Sequence, residues 1–435
     1  MPNSQSKAAA NNDAKSKWVY LHMWANITGI CVLLQARPML MSRNLRGNAS
    51  EVARIMSYMS AGVGALELLL NPMAGQLSDK YGRRNFLLLS PIINFFNKLY
   101  VAFNPSLAAL AWERVIDGAI TTLGGSTTCA ASLSDLFSGQ KLGKAFGNLG
   151  SAAGIGALCG SFISGRLLTR NWSPENLYLL SAMFGLVQFV TNYFCVAETL
   201  AIENRSQKPI DIPNPLSCVS LLTGPSNLRT MVIVAVMQCM PEGKNISDML
   251  QIYSSENVGM VPVERANFVT AFGMCMMFGG PLVKRTIGMF GNRGHTTFSN
   301  AMTVASFIMY GIGQNYYNMW LGLLLLLPTM ERRAATSAMA TDLAVAGGMG
   351  RGEYSAKFGN IRALTVIIAP LFYGNIYAYF APRGKPGYAW YAGALVVLLA
   401  EALHRTLKDE ECFPKGEKVD AEKCWGIFGK KVNKQ

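Results

Sequence analysis

About twelve long apolar stretches run through this chain of 435 residues, and they constrain its fold more than any other feature. They lie at residues 18–41, 54–76, 85–104, 107–134, 142–166, 176–198, 228–253, 266–290, 296–314, 318–345, 354–380 and 387–407. A helix needs about 20 apolar residues to cross the hydrocarbon core of a bilayer, and each stretch reaches that length or comes close. Strict alternation over ten-residue strands is not visible, and unpaired backbone is costly in lipid, so the stretches read as helices. Only 15% of the residues are charged, against about 25% in a typical soluble domain. The fold class that follows is an all-α integral membrane protein, its spans numbered 1–12 in chain order.

The net charge of +14 invites a nucleic-acid reading, but its placement argues against one. With the N-terminus cytoplasmic, cytoplasmic segments hold about 24 of the 39 Lys and Arg, and the opposite loops about 7. That bias fits an even number of spans with both termini cytoplasmic, and basic turns that touch anionic lipid heads. It does not say whether the membrane is the plasma membrane or that of an organelle. The first 16 residues are polar, with no apolar core or cleavage site, so span 1 is expected to act as the insertion signal. The nine cysteines are scattered without a CxxC pair or a His/Cys cluster, which argues against disulfides, zinc or any cofactor. No Ser/His/Asp set or phosphate loop is evident, so an enzyme is not expected.

Between spans 2 and 3 the order is Gly75-Gln-Leu77-Ser-Asp79-Lys-Tyr-Gly82-Arg83-Arg84. This tight cationic turn resembles the signature of the major facilitator superfamily, most nearly its drug:proton antiporters, the tetracycline-exporter-like group and related orphan carriers. Ser134-Asp135-Leu136-Phe137, with Lys141 and Phe146-Gly147, resembles that family's connection between helices 4 and 5, and Arg362 to Gly374 its helix 11. The resemblance implies two six-helix bundles, at 18–198 and 228–407, with cytoplasmic segments at 1–17, 199–227 and 408–435. Two features of the sequence fit that repeat. Phe146-Gly147-Asn148 is echoed by Phe358-Gly359-Asn360, and Gly280-Pro-Leu282 with Gly291-Asn-Arg293 is a worn copy of the signature. The resemblance also implies that Asp79 accepts hydrogen bonds from a neighbouring helix N-terminus, and that Arg83 or Arg84 pairs with Asp135 to latch the inner gate.

Charged residues deep in spans are expensive and face a cavity or one another. Span 4 carries Glu113, Arg114 and Asp117; the first and last share a face, and Arg114 and Asp117 can pair at i, i+3. Such a pair either fixes packing or is contested by solute and protons. Span 10 carries Glu331-Arg332-Arg333, of which Glu331 and Arg332 suit a mixed gate or solute contact. Span 7 carries Gln238, Pro241-Glu242-Gly243 and Asp248; the helix is either broken there or already ended in a loop. Span 1 offers Asn26 and Gln35, while Arg37 is expected to snorkel to the interface. Glycines 147, 150, 154, 156, 160 and 165 make span 5 either a static seam or a moving one. Spans 3, 6, 9 and 12 should be apolar; Asn94, Asn97 and Lys98 in span 3 break that rule, while span 9 reads as compliant.

The resemblance implies a monomeric carrier of a small organic solute. It would work by alternating access with one solute site between the halves, coupled to protons or another solute gradient. Direction and solute charge stay open. A receptor of the same fold, binding without net transport, is the alternative.

Overall fold

The computed structural model describes residues 4–137, 139–200, 202–205, 214–224, 226–330, 332–349 and 351–407. Every regular element among them is helical. The chain runs α1 (Ser4–Asn44), α2 (Ala49–Tyr81), α3 (Arg83–Phe103), α4 (Leu107–Gly124), α5 (Ser126–Leu136), α6 (Gly139–Thr169) and α7 (Pro174–Cys195). It continues with the single turn α8 (Ser220–Thr223), then α9 (Ser226–Cys239), α10 (Lys244–Glu256), α11 (Pro262–Gly313), α12 (Tyr316–Leu326), α13 (Arg333–Ala346), α14 (Arg351–Phe380) and α15 (Tyr388–Thr406). Each expected span coincides with one helix, part of one, or two helices end to end.

Helix starts follow local chemistry. Asn48, Ser106, Ser173 and Asn315 each accept a backbone N–H three residues on, satisfying a donor the first turn leaves open. Gly82 separates α2 from α3 with φ 90° and ψ 152°, a conformation few side chains tolerate. Gly291 divides α11 into two helices with nearly the same dihedrals, φ 69° and ψ 174°. The worn signature copy thus turns the chain as the intact one does.

Six helical segments among the described residues are long and apolar enough to cross a bilayer by length and composition, or seven if one bent pair counts as a span. Several of the others are interrupted or charged. Span 4 carries three charges and breaks at Gly125; span 7 divides into α9 and α10; span 10 divides into α12, a 3-10 turn and α13.

Two compact units result. Unit 1 comprises residues 1–215 and 248–277, and unit 2 comprises 216–247 and 278–435. In unit 1, α1 packs on α6 and α7, α3 on α7 and α4, and α2 on α4. In unit 2, α9 packs on α15 and α13. Close approach in unit 1 relies on glycine. A Cβ on Gly156 would lie 2.6 Å from Trp24 O, and one on Gly160 2.5 Å from Thr28 O. Gly165 abuts Ala266 of α11, and Gly154 lies near Gly273. Gly147 and Gly150 have open space instead.

Candidate functional site

Rotation about α4 divides its charges. Successive residues differ by about 100°, so Glu113 and Asp117 share a face and Arg114 turns away from it. Glu113 has no exposed surface and receives Arg37 of α1: Nη2 lies 3.0 Å from Oε1 and Nε 3.3 Å from Oε2. Arg37 therefore does not snorkel to the interface; a carboxylate within the bundle holds it. Asp117 lies 3.8 Å from Lys98 Nζ, and Asn97 donates to the Glu113 carbonyl at 3.1 Å. This accounts for Asn97 and Lys98 in span 3, which face α4 rather than lipid. Arg114 does not pair with Asp117. Its Nη2 lies 3.1 Å from Asp248 Oδ2 and 2.9 Å from Ser60 Oγ, and that hydroxyl in turn donates to Asp248 at 2.7 Å. Three cations thus face three carboxylates within unit 1. Asn26 and Gln35 are buried on α1, and Gln35 Oε1 meets no donor among the described residues.

In unit 2 the chain turns at Met240–Gly243, with Gly243 at φ 52°, and the helix resumes at Lys244. The break turns Glu242 toward two guanidinium groups: Arg332 Nε at 2.8 Å and Arg333 Nε at 2.7 Å. Arg332 also donates to Thr303 Oγ1 at 3.0 Å and to the Gln238 carbonyl. The Gln238 side chain donates to Asn300 at 2.7 Å and accepts from Thr336 at 3.0 Å; Asn300 donates to Glu401 at 2.9 Å. This cluster brings together Gln238, Glu242 and Arg332. At its solvent side the Glu242 side chain is 21% exposed beside Arg333 at 34%. Glu331 lies outside the described residues.

At the Gly75–Arg84 turn, Arg83 bridges Asp79 of its own segment and Asp135 of α5, the latter at 3.2 Å. Gly75 and Leu77 lie in the last turns of α2. Arg84 donates to the carbonyls of Val196 and Tyr193, both at 2.8 Å, closing the end of α7. Glu198 accepts the N–H groups of Arg83 and Arg84 at 3.1 and 3.4 Å, placing an anion on the N-terminus of α3. A Cβ on Gly82 would lie 2.3 Å from that carboxylate.

The sequence profile of the Major Facilitator Superfamily matches residues 21–403. The chain belongs to that superfamily. Its fold is accordingly that of an all-α, multi-pass membrane protein with about twelve transmembrane helices in two bundles. It is 24% identical to the class B tetracycline resistance protein of Escherichia coli over 209 residues, 48% of this chain, and spans about half the length of that relative. With the class C protein of Escherichia coli it shares 22% identity over 358 residues, 81% of this chain and 87% of the relative. The crystal structure of the human organic anion transporter MFSD10 (TETRAN) superposes with a TM-score of 0.66 at 18% identity, covering 90% of this chain and 99% of that one.

Two features of this facilitator depart from what its sequence leads one to expect. Glu198 is the last residue of span 6, just past the end of α7 and about 115 residues from the arginines it caps, and nothing local marks it. Span 9, expected to be apolar, carries a polar face. His295, Thr296, Ser299, Asn300, Thr303 and Ser306 repeat at helical spacing, and all are buried. Span 9 is therefore not apolar throughout; one stripe of it faces Gln238, Arg332 and Glu401.

Proposed function

We propose that this chain is a secondary active transporter that moves a small organic solute across a membrane by alternating access, driven by a proton or solute gradient. The reading rests first on membership of the facilitator superfamily. The observation that carries it to residues is the partly exposed Glu242–Arg332–Arg333 cluster at the α9–α10 break. Charged residues set within the depth of spans face a cavity or one another, and broken helices are where transporters hold solutes.

In this reading Glu242 and Arg333, the partly exposed members of the cluster, meet the solute first. Relatives named for tetracycline resistance and for organic anion transport support a small organic solute. Asn26, Gln35, Arg114, Asp248, Gln238, Glu242 and Arg332 are the proposed contacts. Glu113 and Asp117, held by Arg37 and Lys98, act as positioning residues. Asp79, Arg83, Arg84 and Asp135 form the proposed latch on the cytoplasmic side, with Gly75, Leu77 and Gly82 shaping its turn. Both termini and the 199–227 linker are cytoplasmic in this scheme, the bundles fall at 18–198 and 228–407, and the protein works as a monomer in lipid.

The test is reconstitution in proteoliposomes with an imposed pH or solute gradient, against a panel of organic anions, zwitterions and cations. Gradient-dependent uptake that Glu242→Gln reduces at least tenfold is the expected result. Binding without flux under every gradient would sink the proposal.

A further inference from the structure

At the end of α2 far from the Gly75–Arg84 turn, unit 1 holds a half-open cavity of about 450 Å³. Arg43 and Arg46 line it from the end of α1 and the turn that follows, and Arg265 from the first turn of α11. The N-terminal turn of α2, at Ala49 and Val52, lines the same space and adds the positive end of its dipole. Glu256 is the one acid in the described lining, and its carboxylate already takes a hydrogen bond from Ser255 Oγ at 2.9 Å. Arg43 is engaged by Glu175, and Glu51 in the first turn of α2 lies 3.8 Å from Arg54.

Arg265 is different. It is only 7% exposed, its Nε meets no acceptor, and among the described residues no carboxylate lies within ion-pair distance. A guanidinium does not shed its proton to escape burial. Glu256 acts on it electrostatically from beyond ion-pair distance, so the buried cation is only partly compensated, which is unfavourable; an anion in the cavity would complete the pairing.

We propose that this cavity binds an oxyanion group, a carboxylate or phosphate, held by Arg265 with Arg46 and the N-terminus of α2. Guanidinium matches both ligands through paired N–H···O contacts. The proposal is independent of which solute the carrier moves. Because the cavity lies at an end of the spans, the group comes either from a soluble anion or from a lipid headgroup.

The experiment is thermal unfolding of the full chain in nanodiscs. In zwitterionic lipid, inorganic phosphate is titrated against chloride at constant ionic strength; in a second arm, phosphatidylglycerol is included without phosphate. A rise in Tm in the first arm identifies a soluble anion, and a rise only in the second identifies a headgroup. Arg265→Met should abolish the rise. It should also leave the Tm without either anion equal to or above that of the wild type, because it removes a buried charge; a merely structural arginine would lower it. Arg46→Gln, at an exposed position, should weaken the apparent affinity about tenfold and keeps the test open if Arg265→Met does not fold. No rise in the wild type in either arm, or the same rise in Arg265→Met or Arg46→Gln, overturns the site.

Discussion

Glu113 and Arg37 hold each other in a place where neither could be hydrated, so removing one strands the other. Arg37→Met is expected to cost about 3 kcal/mol of stability, measured by denaturant unfolding in detergent. Adding Glu113→Leu should restore most of that loss, because two apolar side chains of similar size need no compensation. If the double variant is as unstable as the single, the pair is not the source of the cost. This pairing was illegible in the sequence for a geometric reason. Sequence spacing exposes i, i+3 and i, i+4 neighbours, which is why Arg114–Asp117 stood out. The partners actually chosen lie 76 and 134 residues away and depend on how α4 is rotated against α1 and α10. The residue types themselves were legible, since charge within an apolar span needs a partner somewhere.

Among the helices, the glycines of α6 separate two kinds of position that look alike in the sequence. Gly160→Ala pushes a methyl group against backbone of α1 and is expected to destabilise by about 1–3 kcal/mol. Gly150→Ala meets open space and should stabilise the helix by up to about 1 kcal/mol. Thermal unfolding of the two variants side by side checks the contrast, and equal effects would refute it. Gly82→Ala combines a strained φ with a clash against Glu198 and should reduce folded protein recovered by size exclusion more than Gly160→Ala does. Helix existence was legible because apolar runs of span length have few other uses. The break between α9 and α10 was legible from Pro241 and Gly243. The break after Gly124 was not: no proline marks it, and packing of Gly124 against Ser90 and the Phe86 carbonyl emerges only in three dimensions.

For the whole molecule, the repeat is carried by backbone shape more than by side chains. Gly82 and Gly291 share one rare conformation, although the second turn has lost its aspartate. Asp79→Asn is expected to slow gradient-driven flux several-fold and to change cysteine accessibility along the spans; leaving both unchanged would remove the latch from the mechanism. The membership of unit 1 has a further consequence, for how the protein is made. Residues 248–277 belong to unit 1, and they bring Asp248 to Arg114 and the start of α11 to α6. Synthesis runs from the N-terminus, and domains tend to fold as they emerge, yet here the first unit must wait. Until Asp248 and the first turns of α11 have left the ribosome, Arg114 lacks its carboxylate and the groove along α6 stands uncovered. A nascent chain stalled before that point would be an incomplete object that membrane chaperones or proteases could recognise, and one stalled just after it would not.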